Sequence, residues 1–346
     1  MRYTINRRIA APLILLTSLA LSLTTLATSA HATTPGRNER LAFMRPDASG
    51  FWQVWVSNAD LSGAKQLTHE AANSGWPVWS PDGKKIAFDT DRGDADPSDD
   101  IAINDVFTMN ADGSSVKNVT GSKGVSGDPG WAPDGSSIAF QSDRGAYPQK
   151  QGVYVIRPDG THLRRITTLP ADATEDHAPR FSPDGRRLVF TRFNAGQEFQ
   201  NSALFSVDLR GNNLRQLTSF SIGAGDADWS PDGTRIVFEA APSAFARGDV
   251  YVIRADGKQL RNLTQNPPSD GSADPVWSPD GTKIVFLQAI VRGGAVIPGL
   301  ATMNPNGTDR HFISATPSES HQPDWQSLRV IPCRRPAAQA SMVGST

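Results

Sequence analysis

The residues best suited to chemistry in this sequence stand at a fixed distance before an aromatic residue that recurs along the chain. Counting back three positions gives an indole, three carboxylates and an amide, and counting back four adds two histidines; together these are Trp76, Asp128, His177, Asp226, Asp274, His321 and Gln322. Carboxylates attract basic groups, and an aromatic ring can anchor a bound segment. We therefore predict a site for a basic peptide segment or a cation, with Trp76 as its anchor.

A simpler role is also open for two of the aspartates, because Asp128 and Asp274 could cap the loop turns before Pro129 and Pro275. Signals for catalysis are weak. The sequence has no H-x-H or G-x-S-x-G motif, and its only cysteine, Cys333, lies in an Arg- and Pro-containing tail. We expect a non-catalytic protein without catalytic residues or a cofactor.

One segment is dense in carboxylates, namely Asp91, Asp94, Asp96, Asp99, Asp100 and Asp105. Calcium favours such oxygen-rich loops, so a calcium site between Asp91 and Asp105 is one hypothesis. The spacing does not follow that of an EF-hand loop, and a solvated acidic loop is the interpretation that we favour.

The recurring aromatic residue begins a Trp-Ser-Pro-Asp-Gly motif, with intervals of 52, 50, 48, 48 and 48 residues between successive copies. Such a period is typical of solenoids, propellers and arrays. We assign the structural repeat to Trp79, Trp131, Phe181, Trp229, Trp277 and Trp325, with turn glycines Gly83, Gly135, Gly185, Gly233 and Gly281. Because the aromatic residue is needed in every copy, we expect it to pack between repeats and not to bind a ligand.

Each period contains short β-branched and aromatic runs bounded by Gly, Pro and Asp, which predicts four strands, here called a to d. Four strands per period make one propeller blade. The sequence therefore predicts an all-β, six-bladed β-propeller with four antiparallel strands per blade. Its ring closes when the C-terminal strand around Trp325 joins the N-terminal blade that begins with Leu41-Ala42-Phe43. The b–c connections differ in length and sequence, which favours recognition on their rim.

The composition and the N-terminal residues indicate where the protein is located and argue against nucleic-acid binding. Residues 1–32 have Arg2, Arg7 and Arg8, an apolar stretch and Ala30-His31-Ala32, the pattern of a signal peptide cleaved after about Ala32. Cleavage removes three of the 34 Lys and Arg and none of the 35 Asp and Glu, which leaves a net charge of −4 and no basic stripe for nucleic acid. We expect a secreted or periplasmic monomer without a membrane span. Its parts are a linker at 33–38, the propeller at 39–326 and a disordered tail at 327–346.

The order of short motifs resembles the propeller repeats of the TolB family, in which W-S-P-D-G, I-A-F, S-D-R, a Tyr-containing strand, A-D-G and L-T follow one another. Ser142-Asp143-Arg144 and Thr90-Asp91-Arg92 match the third motif, and the resemblance covers about residues 39–326. It implies a propeller that engages protein partners of the cell envelope. We expect no TolB-type N-terminal α/β domain, because few residues separate Ala32 from the first strand.

Similar propellers include metal-dependent lyases that act on acidic oligosaccharides. This likeness implies an alternative function, a polyuronate lyase in which His177, His321 and Gln322 bind a divalent metal near the channel mouth.

Overall fold

The computed structural model describes residues 37–93, 104–121, 123–144, 151–171, 173–194, 201–241, 247–313 and 320–328. The predicted signal peptide, the centre of the acidic segment and nearly all of the predicted tail lie outside these residues. The described part of the chain contains no helix that is both long and apolar enough to span a membrane.

The described strands form six four-stranded antiparallel sheets, as predicted. Blade 1 contains β1 (Arg37–Pro46), β2 (Trp52–Asn58), β3 (Lys65–Gln66) and the C-terminal β24 (His321–Leu328). Blade 2 contains β4 (Ser74–Trp79), β5 (Lys85–Thr90), β6 (Asp105–Asn110) and β7 (Lys117–Asn118). Blade 3 contains β8 (Ser126–Trp131), β9 (Ile138–Ser142), β10 (Gly152–Ile156) and β11 (Arg164–Arg165).

The second half of the ring repeats this pattern. Blade 4 contains β12 (Ala173–Phe181), β13 (Arg187–Asn194), β14 (Ser202–Asp208) and β15 (Arg215–Gln216). Blade 5 follows a short 3-10 helix (Phe220–Ile222) and contains β16 (Ala224–Trp229), β17 (Arg235–Ala240), β18 (Asp249–Arg254) and β19 (Arg261–Asn262). Blade 6 contains β20 (Gly271–Trp277), β21 (Ile284–Arg292), β22 (Ala295–Met303) and β23 (His311–Phe312).

The ring closes through the C-terminal strand, as the sequence predicts. Strand β24 takes the innermost place in blade 1 beside β1, with Trp325 opposite Leu41. The same pairing places Arg37 opposite Leu328 and Asn38 opposite Ser327. The sheet thus includes residues that the sequence analysis placed in the linker and the tail.

The hydrophobic core lies between neighbouring blades. One cluster joins Ala42 and Val54 of blade 1 to Trp79 and Phe88 of blade 2, and the repeated aromatic residues are at most 7 % exposed. The prediction that these aromatic residues pack between blades is therefore confirmed. Burial on both faces of each sheet explains why the strands are apolar at successive positions.

Different connections between strands form the two rims of the ring. The a–b and c–d turns form one rim, here called the turn rim, and the b–c and d–a connections form the other, the loop rim. At the turn rim Asp82 accepts hydrogen bonds from Ser80 Oγ (2.7 Å) and from the Lys84 N–H (3.1 Å), while Gly83 has a positive φ of 67°. The repeated aspartates of these turns are thus turn formers, as predicted.

The b–c connection of blade 6 is a hairpin. Strands β21 and β22 continue to Arg292 and Ala295 around Gly293-Gly294. The β-branched residues on both sides of the glycine pair account for the longer strands. The b–c connections of blades 2 to 5 lie largely outside the described residues.

Candidate functional site: the central channel

The candidate site begins with a bulge that recurs in the innermost strand of every blade. The residue three positions before the aromatic has left-handed backbone conformation in all six blades, with φ between 48° and 55°; these residues are Trp76, Asp128, Ala178, Asp226, Asp274 and Gln322. In each blade the strand register shifts at or next to this residue. Aspartate tolerates this conformation better than most residues, which suits it to three of the positions.

Acidic side chains near these bulges link one blade to the next through hydrogen bonds. The Asp128 N–H donates to Asp89 Oδ2 and the Asp274 N–H donates to Glu239 Oε2, each over 3.2 Å. The Gln322 N–H likewise donates to Asp274 Oδ2 (3.2 Å). The Asp274 carboxylate therefore binds the following blade, a contact that differs from the turn cap before Pro275 considered above.

Arg180 lies in the first strand of blade 4, β12. It lies two residues beyond the bulge of blade 4, is fully buried, and extends over Gly130, where an added Cβ would lie 3.0 Å from Arg180 Nη1. Burial lowers the pKa of Arg180 to about 10, and charges of carboxylates from three other blades oppose that shift; they are Asp128, Asp226, Asp228 and Asp324. Carboxylates from blades 1, 3 and 5 thus lie close enough for their charges to act on one guanidinium of blade 4.

Two of these carboxylates have a structural partner of their own. Asp228 Oδ2 accepts the Trp277 N–H (2.8 Å) and Asp324 Oδ2 accepts the Trp79 N–H (2.7 Å), so each links two blades. Burial raises the pKa of Asp324 to about 7, although the charge of Arg180 and the two backbone hydrogen bonds act against it. The channel thus holds acids in both charge states near neutral pH.

A second acidic group lies at the boundary between blades 5 and 6. Asp226, Glu239 and Asp274 each offer an oxygen within 4.8 Å of the others, and the Asp226 and Glu239 carboxyl groups share a hydrogen bond. Burial and the neighbouring charge of Asp274 raise the pKa of Glu239 to about 8. Three carboxylate oxygens at this spacing can bind a hard cation or a basic side chain.

The two histidines lie in different surroundings on opposite sides of the ring. His177 in blade 4 contacts the Glu175 carboxylate through Nε2, places Nδ1 4.0 Å from Asp128 Oδ2, and packs against Phe193. His321 in blade 1 packs edge-on against Trp52 with ring centres 5.1 Å apart, and burial lowers its pKa to about 4. The structure therefore places His177 beside Asp128 and His321 against Trp52.

Trp76 and Gln322 complete the predicted set. Trp76 lines a small pocket with Met44, Trp52 and Asp89 at the boundary of blades 1 and 2. Gln322 is 1 % exposed, and its Oε1 has no hydrogen-bond partner in the described part of the protein. Asp128 Oδ1 shares this property, so both atoms are available to a ligand in the channel.

Ordinary sequence reasoning overlooked Arg180, Asp228, Asp324, Glu239 and Asp89. Arg180, Asp228 and Asp324 stand immediately before the repeated aromatic, and Asp89 and Glu239 follow the central Phe of strand b. A charged residue next to a fully buried aromatic residue in a strand is unusual for a packed core. This contrast in the sequence could have identified these residues as candidates.

The acidic segment between Asp91 and Asp105 is described only at its ends. Asp91 accepts two hydrogen bonds from Asn73, and Asp105 accepts from Asn118 Nδ2 and Thr120 Oγ1. Both carboxylates thus accept hydrogen bonds from donor groups of the protein itself. The rest of the segment, to which the calcium hypothesis applies, lies outside the described residues.

Comparison with known proteins agrees with this architecture. The family model described as the TolB beta propeller domain matches residues 178–329. A TolB homolog of Chlorobium luteolum is 33 % identical over 170 residues, which are 48 % of this chain and 34 % of the relative, so the chain spans about a third of that protein.

Two solved structures share the fold. TolB from Acinetobacter baumannii is 20 % identical with a TM-score of 0.64, covering 83 % of this chain and 66 % of that one. An oligogalacturonate lyase in complex with manganese is 14 % identical with a TM-score of 0.53, covering 81 % and 74 %. The repeated motif and the closed ring of six blades make the chain a β-propeller, and these comparisons show that it is similar to the TolB propeller domain.

Proposed function

We propose that this protein is a non-catalytic binding module that receives a basic segment of a protein partner, or a cation, at the acidic loop-rim end of its channel. The observation that carries the proposal is the convergence of carboxylates from several blades around a single guanidinium, Arg180. A group of carboxylates of this kind favours basic partners and steers their approach.

The geometry suggests how a segment would bind. Asp226, Glu239 and Asp274 would accept a Lys or Arg side chain at one side of the channel. Trp76, in the blade opposite Asp226, supplies an indole for an aliphatic or aromatic neighbour of that side chain. His177 beside Asp128 lies between these two places along the ring.

The TolB likeness supports a protein partner over a small substrate, and the predicted signal peptide supports a site of action outside the cytoplasm. We propose a secreted or periplasmic monomer on this basis. The alternative polyuronate lyase requires His177, His321 and Gln322 to share one metal. His321 is packed against Trp52 and His177 contacts Glu175, so the two histidines have different neighbours, which makes that metal site the weaker candidate.

The test removes charge at the channel and compares an equal removal on the turn rim. The variant D128N/D226N/D274N keeps residues that tolerate the left-handed conformation, because asparagine adopts it as readily as aspartate. The matched control is D112N/D159N/D256N, which changes three exposed turn aspartates and the same net charge.

Both variants serve as bait for proteins extracted from the cell envelope. We expect the channel variant to lose at least about tenfold in partner capture, since two or more charge-assisted contacts disappear, and the control to capture as the native protein does. Undiminished capture by the channel variant would overturn the proposal. Metal content and polyuronate cleavage, measured on the same native sample, test the lyase alternative.

A further inference from the structure

A second candidate site lies on the turn rim, where three blade boundaries share one contact. The arginine immediately before the apolar triplet of strand b in one blade lies over the indole of the next blade. Arg40 covers Trp79 at 5.4 Å, Arg187 covers Trp229 at 5.1 Å and Arg235 covers Trp277 at 4.7 Å from the ring centre. At these boundaries the chain itself fills the space above the tryptophan with a guanidinium.

Three boundaries depart from this pattern, with Lys85 between blades 2 and 3, Ser137 between blades 3 and 4 and Lys283 between blades 6 and 1 at the equivalent position. At the boundary between blades 2 and 3, Lys85 Nζ donates to Asn110 Oδ1 (3.1 Å) within its own blade. Lys85 lines a pocket of about 340 Å³ together with Trp131, Pro81 and Pro158. The space that an arginine fills elsewhere is thus an open pocket at this boundary.

The pocket has the chemistry of a guanidinium site. Trp131 and the two prolines supply flat apolar surfaces, and Asp82 and Asp134 add carboxylates. Burial acts against ionisation of Asp82, but hydrogen bonds from Ser80 and Lys84 hold its pKa below the ordinary value, so this carboxylate stays charged at neutral pH. A planar guanidinium can stack on such surfaces and bind carboxylates at its edge, whereas a compact ammonium cannot stack in this way.

We propose that this pocket binds an arginine side chain of a partner polypeptide, which takes the place that the chain's own arginine takes at three other boundaries. The site is independent of the channel, because its residues lie on the turn rim and none belongs to the channel set. It would give a bound partner a second point of attachment, on the face opposite the acidic mouth.

The experiment records indole N–H resonances of the full chain by NMR during titration with acetyl-Gly-Arg-Gly-amide, and with the lysine counterpart, up to about 10 mM, the range of a weak single-residue contact. We expect the arginine peptide to shift the Trp131 signal, assigned through W131F. The signals of Trp79, Trp229 and Trp277 serve as internal controls, because an intramolecular arginine already covers each ring.

Two substitutions at one position separate filling of the pocket from loss of charge. K85R supplies the arginine found at other boundaries and should weaken peptide binding about tenfold or more by occupying the pocket. K85Q removes the positive charge of Lys85, which K85R keeps, without filling the space, and should bind at least as well as the native chain. The channel variant D128N/D226N/D274N should leave the Trp131 shift unchanged.

Three results would overturn the inference: an unmoved Trp131 signal, equal shifts with the lysine peptide, or equal binding by K85R and K85Q. None of these results bears on capture through the channel, so failure here and failure of the proposed function are distinguishable.

Discussion

Replacement of Arg180 by methionine tests whether one guanidinium balances the acids of the channel. Methionine keeps much of the length and apolar stem but removes the charge. Removing one partner of a buried ionic group costs about 3–5 kcal/mol because the remaining charge stays buried. Here Asp228 and Asp324 also accept backbone N–H groups, so we expect the lower end, about 3 kcal/mol in the free energy of unfolding at pH 7.5.

The expected loss depends on pH, and its sign follows from the acids. Asp324 already has a pKa of about 7, which will rise further without Arg180. At pH 5.5 this carboxyl is protonated in R180M and no longer needs a counter-charge, so we expect the loss of stability to shrink to about 1–2 kcal/mol, by roughly 1.4 kcal/mol per pKa unit.

Urea unfolding at both pH values measures the effect. The control R187M removes a stacked arginine from the turn rim of blade 4 and should cost about 1 kcal/mol at either pH. The double variant R180M/D324N should regain part of the loss at pH 7.5. The reasoning fails if R180M loses less than R187M, or if its loss is the same at both pH values.

Three further expectations concern the channel and the ring. Because the folded pKa of Glu239 is about 8 against an ordinary 4.5, the folded state keeps a proton that the unfolded chain releases, and stability falls as pH rises through that window; E239Q should remove a slope of up to about 1.4 kcal/mol per pH unit, read from thermal melts. Deletion of residues 320–327 removes most of β24 and exposes the edge of β1, so we expect an aggregating or unfolded product; a monomeric variant with native melting would refute closure. Calorimetry with calcium should show no heat from the Asp91–Asp105 segment, and binding abolished by D99N/D100N would contradict the solvated-loop interpretation.

The blade architecture could be predicted because each structural feature that builds a blade depends on residues that are close in sequence. A Pro-Asp-Gly turn needs residues that are adjacent, and Trp79 and its equivalents recur with a nearly constant interval. Closure by β24 followed from the same count, because the first blade lacks its own inner strand in the N-terminal order.

The channel was predictable only in part. The fixed offset from the aromatic located Asp128, Asp226 and Asp274 correctly at equivalent places in their blades, but it could not tell that they lie at a left-handed bulge. Arg180 escaped notice because its meaning depends on Gly130 of the preceding blade and on acids from across the ring. Such relations join residues that are distant in sequence, and the repeat gives no sign of them.

Site-specific photo-crosslinking tests the central claim most directly. A photoreactive phenylalanine analogue at position 76 reports contacts at the channel mouth, and the same analogue at position 256 reports contacts on the turn rim of blade 5, away from the Lys85 pocket. In intact cells we expect a partner adduct from position 76 that is lost in the D128N/D226N/D274N background. No adduct from position 76, or an adduct indifferent to the three carboxylates, would contradict binding at the acidic channel.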